Sequence, residues 1–141
     1  METKEVVLDA SVIVKWFSQE ESHDKAIKIR DDFLKGEMEI VLPDLILYEL
    51  SNALRFNPVF DFNDVKEAVG SILDMDLTIT SPTSSVLNES IRLAFSKNIT
   101  VYDAIYISLA SNLNYILVTA DKKLYNKVKD LGFVFLLEEL N

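Results

Sequence analysis

Glu5-Val6-Val7-Leu8-Asp9 decides the fold. A short, unbroken apolar run of this kind predicts a buried strand over Lys4–Leu8, closed by an acid at Asp9. A helical turn over Ala10–Phe17 is expected next. Ser22–Lys35 reads as a helix with Ala26, Ile29, Phe33 and Leu34 near one face and Gly36 as its stop. Glu39–Leu42 is a second strand, Pro43 a turn, and a helix then runs to about Arg55. Arg55–Asp64 is aromatic and irregular, carrying Phe56, Pro58, Phe60 and Phe62. A helix over Asn63–Leu73 and a strand over Asp76–Thr80 follow. Ser81-Pro82 starts a helix reaching about Lys97, with Asn98 as a left-handed stop. Val101–Leu113 is a helix, Tyr115–Thr119 a strand, Lys122–Lys129 a helix and Phe133–Leu136 a fifth strand. Strands alternating with helices define an α/β sandwich around a parallel sheet. No internal repeat, low-complexity tract or linker divides residues 1–141.

Ligands of such sheets bind beyond the carboxyl ends of the strands, and Asp9 and Asp121 fall at two of those ends. Asp103 opens a helix after Thr100-Val101-Tyr102. Glu49 shares a helical stripe with Leu45, Asn52 and Phe56, which places a carboxylate and an amide on an otherwise apolar face. Each acid has an ordinary explanation. Asp9 and Asp121 suit helix N-caps, Asp103 three residues after Thr100 mimics a capping box, and Glu49 can reach solvent along its stem. The joint pattern says more, because a buried charge must be paired or must ligate a metal, and clustered carboxylates favour a hard divalent cation.

Composition restricts the chemistry. Hydrophobic residues make up 49% of the 141, enough for a packed core, and the net charge is −9. So acidic a chain is no general nucleic-acid binder, because phosphate affinity comes from clustered Lys and Arg. Any polynucleotide needs a local patch or metal ions, and a basic protein partner is equally compatible. The chain has no cysteine, which removes thiolate nucleophiles and Cys-ligated zinc, and one histidine, His23, which removes a two-histidine mechanism. Its three glycines, Gly36, Gly70 and Gly132, are too scattered for a phosphate-binding loop. No apolar stretch reaches the roughly 20 residues that span a bilayer. Met1–Glu5 lacks a signal-peptide start, so a cytoplasmic location is expected. His23, beside Glu21 and Asp24, reads as a surface residue. Trp16 and Phe17 read as core or interface.

Four stretches carry a family resemblance. Val7-Leu8-Asp9-Ala10-Ser11-Val12-Ile13-Val14-Lys15-Trp16-Phe17 resembles the opening motif of PIN-domain ribonucleases, in the form seen in VapC toxins. Leu47-Tyr48-Glu49-Leu50-Ser51-Asn52-Ala53-Leu54 resembles their second motif. Val101-Tyr102-Asp103-Ala104-Ile105-Tyr106-Ile107-Ser108-Leu109-Ala110 resembles the third, and Val118-Thr119-Ala120-Asp121-Lys122-Lys123-Leu124 the fourth. The match runs from about residue 5 to residue 136. It implies a three-layer α/β/α sandwich with five strands in the order 3-2-1-4-5. It also implies that Asp9, Glu49, Asp103 and Asp121 hold one or two Mg²⁺ or Mn²⁺ ions, supported by hydrogen bonds from Ser11, Asn52 and Thr119. Where relatives often carry a glycine before the third motif, this chain has Asn98-Ile99-Thr100, and Asn tolerates the same left-handed turn.

The activity implied is metal-assisted endonucleolytic hydrolysis of RNA, leaving a 5′-phosphate and a 3′-hydroxyl and needing no histidine base. Lys15, Lys122 and Lys123 flank the acids and form a candidate phosphate-contacting rim. The resemblance further implies a homodimer and a small antitoxin protein seated near the aromatic stretch Arg55–Phe62. Two rivals stand beside the toxin reading: a housekeeping RNA-processing nuclease, and a catalytically silent PIN scaffold that only binds a partner. A receiver-like phosphorylation module is set aside. It needs adjacent acids after the first strand, where this chain has Ala10-Ser11, and an acceptor Asp after the third, where it has Ser81-Pro82.

Overall fold

A computed structural model describes residues 4–141. Five strands form one sheet: β1 (Lys4–Leu8), β2 (Met38–Pro43), β3 (Thr78–Thr80), β4 (Ile116–Thr119) and β5 (Val134–Leu136). All neighbours pair in parallel, in the order β3-β2-β1-β4-β5. The expected architecture and strand order are therefore present. β1 sits at the centre, with Val7 in register between Val41 and Leu117. Val6, Val7 and Leu8 are fully buried, as an apolar run covered on both faces requires. The edge strands β3 and β5 are only three residues long, which limits the exposed ladder.

Seven helices connect the strands: α1 (Ala10–Ile13), α2 (His23–Leu34), α3 (Leu45–Arg55), α4 (Phe62–Asp74), α5 (Ser84–Lys97), α6 (Val101–Leu113) and α7 (Lys122–Val128). The crossovers β1→β2→β3 run one way along the sheet and β3→β4→β5 run back. With right-handed connections, α2–α4 and α5–α7 cover opposite faces. α6 packs across β2, β1 and β4 and carries α5 on its outer side. Ile46, Leu50 and Leu54 bury one stripe of α3, and Ile72 anchors α4.

Local signals set most boundaries. Asn98 ends α5 with φ 54°, the left-handed stop expected of it. Asp61 and Asp64 form a reciprocal capping box that starts α4 at Phe62, one residue earlier than expected. The third strand is shorter than the sequence suggests. Asp76 takes φ 60°, a turn conformation that cannot continue a strand, so β3 begins at Thr78. Trp16 is core, its indole N–H donating to Ala26 O at 2.9 Å. His23 is half-buried rather than a free surface residue, and its Nδ1 lies 2.5 Å from Lys15 O, which ties the start of α2 to the turn after α1. No helix among the described residues is long and apolar enough to cross a membrane.

Candidate active site

The strand order reverses direction at β1, which pairs with β2 on one side and β4 on the other. A crevice opens beyond the carboxyl ends of strands at such a reversal. Asp9 directly follows β1, and Asp121 follows β4 by two residues. Glu49 comes from α3, which leaves β2. Asp103 lies in the first turn of α6, which leads into β4. Four elements thus carry one acid each near the carboxyl end of the sheet, and Asp103 and Asp121 line one groove there.

Asp9 is held from every side. It is 5% exposed and caps α1, accepting from Ser11 N at 3.1 Å. Ser11 Oγ donates to Asp9 Oδ1 at 2.5 Å, and Thr119 Oγ1 donates to Asp9 Oδ2 at 2.5 Å. The two hydroxyls are themselves fixed: Ala120 N donates to Ser11 Oγ at 2.8 Å and Asp121 N to Thr119 Oγ1 at 3.1 Å. Burial pushes the Asp9 carboxyl up to about 6, against the lowering effect of Ser11 and Thr119 and with a further push from Asp103.

Glu49 is half-buried, and Tyr106 Oη donates to its Oε1 at 2.6 Å. Burial raises its pKa, Tyr106 opposes the rise, and the charge on Asp103 adds to it. Burial also raises Asp103, with Asp121 adding to the shift and Thr100 and Lys127 reducing it. Asp103 is therefore electrostatically coupled to all three other acids. Asp121 caps α7, accepting from Leu124 N at 3.0 Å. For Asp9 and Asp121, capping and membership of the cluster are the same geometry.

The donors are all hard carboxylate oxygens, a set that suits Mg²⁺ or Mn²⁺. Among the described residues, however, no three acidic or histidine side chains already stand together as a metal cage. Glu49 is instead bonded to Tyr106, and Asp9 to the hydroxyls of Ser11 and Thr119.

Other expected residues divide. Ser11 and Thr119 brace Asp9. Asn52 is exposed and its side chain makes no hydrogen bond among the described residues, and Phe56 on the same stripe is 71% exposed. Lys15 Nζ donates to Glu21 O at 2.7 Å and pairs with Glu20 at 3.6 Å, while Lys122 pairs with Glu138 at 3.3 Å. Both line a small recess with Ala120, separate from the groove at Asp103 and Asp121. Lys123 does line that groove. So does Lys127, four residues on, which the motif-by-motif reading passed over. Tyr106 was also missed as a site residue. Its distance of 57 positions from Glu49 leaves no local trace, although it lies one turn from Asp103. Near Arg55–Phe62, α3 and α4 enclose an apolar groove of about 760 Å³ lined by Phe60, Phe62, Val65 and Leu73, with Phe62 77% exposed.

A parallel α/β/α sandwich with acids at its central strand ends is the architecture these observations define. The PIN domain family matches residues 6–130, and the chain belongs to that family. No curated protein matches it. Solved structures share the fold. PAE2754 from Pyrobaculum aerophilum is 24% identical with a TM-score of 0.66, over 97% of this chain and 93% of that one. A toxin–antitoxin complex from Klebsiella pneumoniae is 12% identical with a TM-score of 0.71, over 96% and 99%. VapC20 from Mycobacterium tuberculosis, a toxin that cleaves the sarcin–ricin loop, is 12% identical with a TM-score of 0.69, over 92% and 96%.

Proposed function

We propose that residues 1–141 act as one PIN domain, a divalent-metal-dependent endoribonuclease, and that this is the toxin of a VapBC-type pair working in the cytoplasm. The observation that carries the reading is geometric: Thr119 joins Asp9 to Asp121 at the carboxyl ends of β1 and β4, and Asp103 lines one groove with Asp121. Asp9 and Asp103 are the principal ligands in this scheme, with Glu49 and Asp121 completing the set. Mg²⁺ or Mn²⁺ bound there supplies charge neutralisation at the phosphate and an acidified water. The protein's share is orientation. Ser11 and Thr119 fix both oxygens of Asp9, and Tyr106 fixes Glu49, so little reorganisation is left for the reaction itself.

The toxin assignment draws support from solved complexes of the same fold that contain antitoxins. The α3–α4 groove supports an antitoxin segment with an apolar face, whose basic side chains suit a chain of charge −9. A homodimer belongs to the same proposal. α5 presents Leu87, Ile91 and Phe95 one turn apart, all exposed, an apolar row that suits burial against a second copy. One observation favours the silent-scaffold rival: among the described residues no three of these side chains stand close enough together to share an ion.

The deciding experiment incubates the antitoxin-free protein with single-stranded RNAs in Mg²⁺, Mn²⁺ or chelator, beside Asp9→Asn. Metal-dependent cleavage lost in the variant is the expected result. Equal cleavage by the variant removes this site from the mechanism, and a folded protein inert on every RNA moves the balance to the scaffold. An antitoxin gene next to this one separates the toxin from a housekeeping nuclease.

A further inference from the structure

We propose that the groove between the Asn98–Thr100 turn and α7 is the track along which a single-stranded polynucleotide reaches the acids, with Lys123 and Lys127 binding a phosphate next to the one being cut. The inference rests on the nuclease reading and adds where the substrate lies.

The groove has a volume of about 390 Å³, room for one nucleotide, and Asp103 and Asp121 line it together with Lys123 and Lys127. The two lysines are four residues apart on α7 and so share a face. Their state differs from that of the other basic residues around the site. Lys15, Lys122 and Lys97 are each paired with a carboxylate. Among the described residues Lys123 and Lys127 form no salt bridge, although two acids line the same groove. Lys127 donates to a neutral carbonyl, Asn98 O, at 2.8 Å, which orients its ammonium and leaves two N–H donors unused. It is close enough to Asp103 to lower that carboxyl's pKa.

Two lysines that line the groove beside Asp103 and Asp121 without a salt bridge to either meet the requirement set by the composition. A surface of net charge −9 repels a polyanion, so the substrate needs a local positive strip leading to the acids. A phosphodiester backbone has this alternation: one phosphate on the metal-binding acids and its neighbour on the lysines.

The test has two readouts. In an Asp9→Asn background with Mg²⁺, which leaves RNA uncut, the anisotropy of a labelled short single-stranded RNA is titrated across a salt series. Lys123→Gln and Lys127→Gln are each expected to weaken binding about tenfold and to reduce the log–log salt slope by about 0.7 per lost phosphate contact. Lys127→Arg should restore most of the loss, and Lys35→Gln, remote from the groove, should change neither quantity. In the otherwise native protein the same glutamine substitutions should raise KM far more than they lower kcat. Unchanged affinity, slope and KM in the double variant overturn the track while leaving the nuclease reading intact. A native protein that neither binds nor cleaves RNA overturns both.

Discussion

Tyr106 Oη donates to Glu49 Oε1 at 2.6 Å, joining α6 to α3 across the mouth of the site. Tyr106 is 1% exposed, and burial, reinforced by Glu49, pushes its pKa far above the usual tyrosine value, so it acts as a fixed donor. Tyr106→Phe keeps the ring and removes the donor. The protein should fold, lose about 1–2 kcal/mol, and bind Mn²⁺ more weakly, because Glu49 is no longer aimed. Calorimetric Mn²⁺ titration of Tyr106→Phe, Glu49→Gln and the double variant decides the matter. Strong non-additivity is expected, and simple additivity would show that the tyrosine acts elsewhere.

Thr119 is fully buried, donating to Asp9 Oδ2 and accepting from Asp121 N, with Ser11 Oγ 3.3 Å from its hydroxyl. Thr119→Val preserves shape and removes both bonds, at a cost of about 1–3 kcal/mol. It also removes a contact that lowers the Asp9 pKa. The acidic limb of the pH–cleavage profile should therefore move to higher pH, and Ser11→Ala should move it the same way. An acidic limb unmoved in both variants would contradict the clamp.

The fold was legible because its signals are local. The apolar runs of β1 and β4 marked them as strands and Asn98 marked the end of α5, while the strand order came only with the family resemblance. Asp9, Asp103 and Asp121 stood out because each stands at or beside an element boundary, and Glu49, inside α3, stood out as an acid on an apolar stripe. What failed were statements about direction. The stripe through Glu49, Asn52 and Phe56 is a true helical row, but periodicity does not say which row faces the core. The buried row is Ile46, Leu50 and Leu54, and the expected one is largely outside. Lys15 and Lys122, expected to flank the acids, are held by Glu21 and Glu138. Tyr106 and Lys127 depend on tertiary neighbours that no local pattern encodes.

Phe95 is 86% exposed at the end of the α5 row formed with Leu87 and Ile91. If a second copy covers this row, Phe95→Glu places a charge in an apolar interface without touching the core. Light scattering after size exclusion should show a dimer for the native protein and a monomer for the variant, with an unchanged circular dichroism spectrum. A native monomer at every concentration, or a variant that stays dimeric, would remove this face from the assembly.

Asp9 makes stability depend on pH in a direction opposite to that of a salt-bridged acid. Its folded pKa is about 6 against 3.8 for the free side chain. Between those values the folded chain holds a proton that the unfolded chain has released. Stability is therefore fully present below about pH 4, is lost as pH rises through 6, and levels off above, a span of about 3 kcal/mol from this group. Glu49 and Asp103 are shifted the same way and add to the fall. Urea unfolding in chelator should give a native protein more stable at pH 5 than at pH 7.5. Asp9→Asn, neutral throughout, should show a much flatter dependence. Mn²⁺ binds the ionised form, so it should recover stability above pH 6, by about 2.7 kcal/mol at a hundredfold excess over Kd, and do so far less in the variant. If Asp9→Asn keeps the native pH slope, the buried carboxyl is not its source, and the decline reflects the general repulsion of an acidic surface.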